Sequence, residues 1–152
     1  MSHHNAPPTA ADLLALTADL NYEIGMTWYL ARVAIPGSSG PQQNALKESL
    51  LIHARCLMDF FNCKPWGDDV IASHYVPEWD PAQDGGPELA WLNAHLELFI
   101  NKRVAHLTAY RQRVPKERYL IETVESHIQT LVERFLAKAS EDLRLRIRGL
   151  AS

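Results

Sequence analysis

Four long stretches of this sequence repeat apolar residues at steps of three and four, the spacing that lines one face of an α-helix. The second stretch shows it in Leu46, Leu50, His53, Leu57 and Phe60. A helix with one apolar face has to bury that face against another element, so these stretches must pack together. The pattern predicts four helices, at about residues 10–34, 42–63, 87–112 and 115–139.

Residues that favour helix starts precede these stretches. Pro41, Pro87 and Pro115 stand at first turns, where the missing N–H of proline costs nothing. Thr9 is followed three residues later by Asp12, which is close to a capping box. The segment after residue 139, SEDLRLRIRG, alternates Arg with Leu and Ile, so it suits either a short helix or a strand.

Connection lengths predict the arrangement of the helices. Short links between helices one and two, and between three and four, are typical of antiparallel hairpins. We therefore predict an all-α fold, a four-helix up-and-down bundle forming a single domain over residues 1–152, with a flexible tail at 1–8. The link over 64–86 is long for a bundle and is interpreted as a capping insertion between helices two and three, containing one or two helical turns. Its aromatic side chains are predicted to cover one end of the bundle: Trp66, Tyr75 and Trp79.

Composition narrows the cellular setting. The sequence is 47% hydrophobic and 22% charged, as in ordinary soluble proteins, and no apolar run approaches the roughly 20 residues that span a bilayer. Cys56 and Cys63 lie seven residues apart on one predicted helix, about 10 Å at 1.5 Å per residue, which is too far for a disulfide. These features predict a cytoplasmic protein that does not enter a membrane.

The net charge of −3 hides an uneven distribution. Residues 1–99 carry 4 Lys/Arg against 12 Asp/Glu, a balance of −8, whereas residues 100–152 carry 11 against 6, a balance of +5. The basic half could bind a polyanion. Alternatively, the two halves attract each other within one bundle or between subunits, which we favour because charged runs are usually solvated faces.

Metal and thiol chemistry have little support in the sequence. No Glu has a His three residues later, and there is no His-x-x-x-His or Cys-x-x-Cys, so we predict neither a metal nor a cofactor. Cys56 is predicted to be buried and therefore inert.

Two polar groups on predicted helices are candidates for a site. The first is Ile100–Arg111, INKRVAHLTAYR, in which Lys102, Arg103 and His106 are close on the helix surface. Neighbouring cations lower the pKa of a histidine, which favours the neutral imidazole that a general base requires, and the same cations hold a phosphate.

The second group lies on helix two and includes His53 and an i,i+4 pair, Arg55 with Asp59, on a stripe with Glu48 and Ile52. We favour reading the stripe as a structural ion-pair network beside the core. In the functional alternative, it orients a neighbouring catalytic or ligand-binding group.

Three segments carry a resemblance to known proteins. Over about residues 46–112 the chain resembles a group of small, uncharacterised, all-helical bacterial proteins, and it is also similar to the HEPN superfamily, through HARCLMDFF, DDVIASHYVPEW and INKRVAHLTAYR. Members of that superfamily are helical bundles, usually dimeric, and often RNases or toxin and defence components. Their motif, Arg followed four to six residues later by His, forms a metal-independent RNA-cleaving site, generally across a dimer interface. In this chain Asn101 stands five residues before His106, where the motif has Arg.

The resemblance implies a homodimer that acts on RNA or binds a nucleotide. His106 is then the general base on a ribose 2′-hydroxyl, Lys102 and Arg103 stabilise the phosphorane charge, and Asn101 orients the phosphate. Arg55, Asp59 and His53 are supporting residues. Because Asn101 replaces the motif's Arg, two alternatives stay open: a relative that binds a nucleotide or protein without cleaving RNA, and a non-enzymatic dimerising module with a structural polar network.

Overall fold

The structure, a computed structural model, describes residues 6–99 and 119–147 and is all-α, with no strand in those ranges. The first helix passes into a π-helical turn, Leu30–Ala34, before the connection to the second. The α-helices are α1 (Ala10–Tyr29), α2 (Gly40–Asn62), α3 (Ala72–Tyr75), α4 (Pro81–Asp84), α5 (Gly86–Phe99), α6 (Tyr119–Lys138) and α7 (Glu141–Arg146).

The predicted helix bounds agree with these elements wherever the two can be compared. The first prediction ends with the π-helical turn at Ala34, and the second begins two residues later than α2. The predicted parts at 100–112 and 115–118 lie outside the described residues. The segment after residue 139 forms a helix of its own, α7, because Ser140 caps it by accepting a hydrogen bond from the N–H of Leu143.

The helix starts follow the chemistry expected from the sequence. The Thr9 hydroxyl accepts from the Asp12 N–H at 3.2 Å, and the Asp12 carboxylate accepts from the Thr9 N–H at 2.8 Å, which completes the capping box. Pro41 and Pro87 stand in the first turns of α2 and α5, where the helix makes no use of their missing N–H groups.

The second helix is central to the packing. It contacts α1, α5 and α6, while α6 also packs against α5 and α1. This arrangement of four long helices fits the predicted bundle. All four contribute side chains with less than 2% exposure, among them Ile24, Leu50, Leu57, Phe61, Leu92, Leu96, Leu131 and Phe135.

The insertion contributes an aromatic residue to this core. Trp79 is 4% exposed, packs its ring 5.4 Å from that of Phe61 and 5.9 Å from that of Phe135, and donates from Nε1 to the Phe61 carbonyl at 2.9 Å. Tyr75 also packs against the core and donates its hydroxyl to the carbonyl of Leu13 at 2.8 Å. The capping role predicted for these two side chains is therefore present.

The prediction that Trp66 covers one end of the bundle was wrong. It is 86% exposed and does not cover the bundle, because it lies in an exposed turn in which its own N–H donates to the Asp69 carboxylate at 2.9 Å. The turn is held by this local hydrogen bond, so the indole is not needed for packing.

Ion pairs connect the basic C-terminal half to the acidic N-terminal half. On α6, Arg134 lies 2.6 Å from Glu88 and Lys138 lies 2.7 Å from Asp84. Arg32 lies 2.8 Å from Glu125, and in this pair the positive charge comes from the N-terminal half and the negative charge from the C-terminal half. The first two contacts are those expected if the charge asymmetry holds the bundle together, the interpretation favoured from the sequence.

Candidate functional site

The four residues predicted to carry catalysis follow α5 in the sequence. Asn101, Lys102, Arg103 and His106 lie outside the described residues, so their roles stay predictions. The three supporting residues are all on α2, the helix that packs directly against α5. The geometry of the candidate site is therefore that of α2 and its neighbours.

The most distinctive polar contact on α2 joins His53 to a residue of α1. Its Nδ1 lies 2.6 Å from Oε2 of Glu23, and the two side chains are only 16% and 25% exposed. Tyr22 contacts the imidazole edge-on, with ring centroids 5.8 Å apart. A carboxylate that binds one imidazole nitrogen fixes the orientation of the ring, as in catalytic histidine–carboxylate pairs. The pair can therefore serve either as an oriented base or as a polar tie between helices.

His53 lies on the border of the core rather than in its centre. Its neighbours on the predicted apolar stripe, Leu50 and Leu57, are 0% and 1% exposed, whereas the His53 side chain is 16% exposed. At this position the ring reaches the Glu23 carboxylate, so Nδ1 of His53 has a hydrogen-bond partner although the side chain is largely buried.

Sequence reasoning did not identify Glu23. The contact between Glu23 and His53 could have been inferred from the hairpin of α1 and α2. Residue 37 lies in the short connection between these helices, and Glu23 stands 14 residues before it and His53 16 residues after it. In an antiparallel pair of helices, residues equidistant from the turn lie side by side. Combining this register with the polar residue types would have predicted the contact.

The Arg55–Asp59 pair forms as predicted, with Nε and Oδ2 3.7 Å apart. Its side chains are 38% and 53% exposed, and both Glu48 and Ile52 on the same stripe are exposed. The predicted ion pair is therefore present on a partly exposed face of α2, and its place in a network beside the core stays a prediction. Exposed ion pairs contribute little stability, because water and salt screen them.

The prediction that Cys56 is buried was wrong, because the residue is exposed. Partial desolvation of the thiol raises its pKa, and the negative charges of Glu23, Asp59 and Asp69 raise it further. A thiol with a raised pKa is protonated at neutral pH and is a poor nucleophile. The premise of burial was wrong, and the inertness of Cys56 stays a prediction that the raised pKa of its thiol supports.

Two further histidines meet at an aromatic side chain. His95 stacks on Trp91 with ring centroids 4.4 Å apart and planes 17° apart, and His127 of α6 contacts the same indole edge-on at 5.1 Å. Desolvation lowers the pKa of His127, and the nearby Glu88 carboxylate opposes that shift. Across the described ranges, no group of three or more His, Cys, Asp or Glu side chains is arranged to hold a metal ion.

A cavity of about 520 Å³ separates the N-terminal segment from the insertion. Its acidic side chains, Asp12, Asp68 and Asp69, repel a phosphate, so it does not suit an RNA or nucleotide ligand. Asp12 and Asp69 are already engaged in local hydrogen bonds to the backbone of Thr9 and Trp66. The cavity is therefore not a candidate site for a polyanion.

In comparisons with known proteins, the chain matches no family model, no curated protein and no solved structure. Within the parts that the structure describes, no helix is both long and apolar enough to cross a membrane. The functional argument therefore depends on the residues themselves.

Proposed function

We propose that this chain is a cytoplasmic HEPN-like protein that acts on RNA as a metal-independent ribonuclease, or binds a nucleotide, in a toxin or defence setting. The observation that supports the proposal is the position of α2. This helix presents His53, oriented by Glu23, and the Arg55–Asp59 pair, and it packs against α5, which leads in sequence into Asn101–His106. Helix two therefore carries the supporting residues and also packs against the helix that precedes the motif in the sequence.

The proposed chemistry needs no metal. His106 takes the proton of a ribose 2′-hydroxyl, and the 2′ oxygen attacks the adjacent phosphorus to form a 2′,3′-cyclic phosphate. The bond from phosphorus to the 5′ oxygen breaks, and the 5′ oxygen leaves as a hydroxyl by taking a proton from solvent water. Lys102 and Arg103 stabilise the negative charge that develops on the phosphorus oxygens, and Asn101 orients the phosphate. Arg55, Asp59 and His53 act through their neighbours as positioning residues.

The test is cleavage of an end-labelled RNA in EDTA by wild type and by His106→Ala. We expect cleavage by the wild type and a loss of about 100-fold or more in the variant, the usual contribution of a general base. His95→Ala is the matched control, because His95 is an exposed histidine on α5 that stacks on Trp91, and it should retain activity. Equal absence of cleavage in wild type and His106→Ala would eliminate the ribonuclease, and activity that EDTA abolishes would eliminate the metal-free mechanism.

A second candidate is a non-enzymatic dimerising module. The observation in its favour is that polar side chains connect the helices: Arg32 with Glu125, Arg134 with Glu88, and Lys138 with Asp84. In the described part of the chain, every buried side-chain nitrogen and oxygen has a hydrogen-bond partner. If RNA is neither bound nor cleaved, this candidate is the one retained, and self-association becomes its measurable property.

A further inference from the structure

The cavity between the N-terminal segment and the insertion has apolar walls from three parts of the chain. Pro7 and Pro8 precede α1, Leu16 lies on α1, and Pro65 and Val70 belong to the insertion. Its volume of about 520 Å³ lies within the range of pockets that hold small molecules, roughly 300–1,000 Å³. Because proline fixes its own backbone angle, these walls are stiff. The cavity is therefore large enough for a small ligand with an apolar part.

The charged groups of the cavity select the charge of that ligand. Asp12, Asp68 and Asp69 line it, and among the described lining residues there is no Lys or Arg. None of the three aspartates forms an ion pair within the described parts of the chain. The neighbouring cation in the sequence, Lys64, is exposed and does not line the cavity. A group that enters between these carboxylates is therefore favoured if it carries a positive charge.

Two of these carboxylates are held in place by hydrogen bonds from the backbone. Oδ2 of Asp12 accepts from the Thr9 N–H at 2.8 Å, and Oδ2 of Asp69 accepts from the Trp66 N–H at 2.9 Å. These bonds use one oxygen of each carboxylate, so the other oxygen can accept from a ligand. The hydroxyl and the N–H of Thr9 also hold the pKa of Asp12 below its usual value, so this carboxyl is ionised at neutral pH. Groups oriented before binding lower the entropic cost of holding a ligand.

Two ring systems add to the carboxylates. His74 lines the cavity, and its Nδ1 accepts from the Ile71 N–H at 3.3 Å, so the imidazole is neutral and carries its hydrogen on Nε2. Trp66 stands between the lining residues Pro65 and Gly67, and its side chain is 86% exposed. Among aromatic side chains, Trp attracts a cation placed over its face most strongly. An exposed indole beside carboxylates is a combination that suits an ammonium or guanidinium group.

We propose that this cavity binds an organic cation, an ammonium or guanidinium group on an apolar stem. The cation lies between the carboxylates of Asp12, Asp68 and Asp69, the stem packs against the proline walls, and the indole of Trp66 turns onto the bound group. Two sources share this chemistry: a free polyamine, and the Arg or Lys side chain of a peptide. The inference goes beyond the proposed action on RNA and does not depend on it.

Titration of the full-length protein, followed by NMR chemical shifts of its backbone amides, tests the charge of the ligand. N-acetylarginine amide should bind with a Kd on the order of 1 mM, as expected for a ligand of this size, and should shift the amides of Gly67, Asp68 and Val70. N-acetylcitrulline amide has nearly the same shape without the charge, so it should bind about 10-fold more weakly or worse. Equal binding of the two compounds overturns the proposal.

Spermidine is the second arm of the titration and separates the two sources. Tighter binding of spermidine assigns the cavity to a free polyamine, whereas tighter binding of the arginine compound assigns it to a side chain of a peptide. Either result supports a site for organic cations. If neither cation saturates the protein up to about 20 mM, well above the expected Kd, the proposal is wrong.

Two charge reversals test the location of binding. Asp68 has no hydrogen-bond or ion-pair partner among the described residues, so Asp68→Lys should keep the fold and weaken binding about 10-fold or more, because an attraction becomes a repulsion. Glu78→Lys is the matched control, because Glu78 is an exposed carboxylate of the same insertion that does not line the cavity. Equal losses in the two variants would mean that net charge alone attracts the cation, which contradicts the proposal.

Trp66→Ala tests the aromatic contact without changing the charge of the cavity. It should weaken binding of the arginine compound about 2- to 5-fold, the usual size of an exposed cation–π contact. Unchanged affinity in both Trp66→Ala and Asp68→Lys overturns the proposed site. Helical content and melting temperature show whether each variant is folded. None of these readouts involves RNA, so failure here is distinguishable from failure of the ribonuclease.

Discussion

Replacing Trp79 by alanine should remove the main contact by which the insertion joins the core. Trp79 is 4% exposed, lies against Phe61 and Phe135, and donates to the Phe61 carbonyl at 2.9 Å. Removing a buried Trp or Phe side chain costs about 3–5 kcal/mol, because both transfer free energy and packing contacts are lost. For a chain of this size each kcal/mol lowers Tm by about 2–4 °C, so Trp79→Ala should melt about 6–20 °C below the wild type.

The same insertion contains the control. Trp66 is the same residue type but is 86% exposed, so Trp66→Ala should change the free energy of unfolding by less than about 0.5 kcal/mol. Trp79→Phe keeps an aromatic ring but loses the hydrogen bond, so it should be intermediate. Urea unfolding followed by far-UV circular dichroism measures all three. Equal stability of Trp79→Ala and Trp66→Ala would refute the argument that the insertion is part of the core.

Two further predictions concern stability. Arg134 donates a hydrogen bond that holds the pKa of Glu88 below its usual value. The contact between the two side chains therefore stabilises the fold at neutral pH, and this stabilisation is lost as the pH falls through and below the ordinary carboxyl range of about 4. The difference in unfolding free energy between wild type and Glu88→Gln should therefore shrink on acidification in urea titrations, and a difference independent of pH would contradict this reasoning. Gly25 lies inside α1 with open space at its Cβ position, so Gly25→Ala should raise the free energy of unfolding by about 0.5–1 kcal/mol in urea titrations. A loss of stability there would mean that the position is closely covered.

The local features of this protein could be predicted from the sequence because their causes are local. The bounds of α1 and α2 follow from apolar periodicity within one helix, and the capping box at Thr9 follows from two residues three apart. The separation of Cys56 and Cys63 follows from the helical rise alone, and both are free.

Contacts between elements needed the tertiary structure, because periodicity identifies an apolar face without saying what covers it. Trp66 and Trp79 are equivalent as residues of one insertion, yet the path of the chain buries one and exposes the other. His53 was predicted without its partner, since Glu23 lies 30 residues away and only the register of α1 against α2 brings them together. Helix formation is decided by neighbours along the chain, whereas the choice of partners is decided by packing across it.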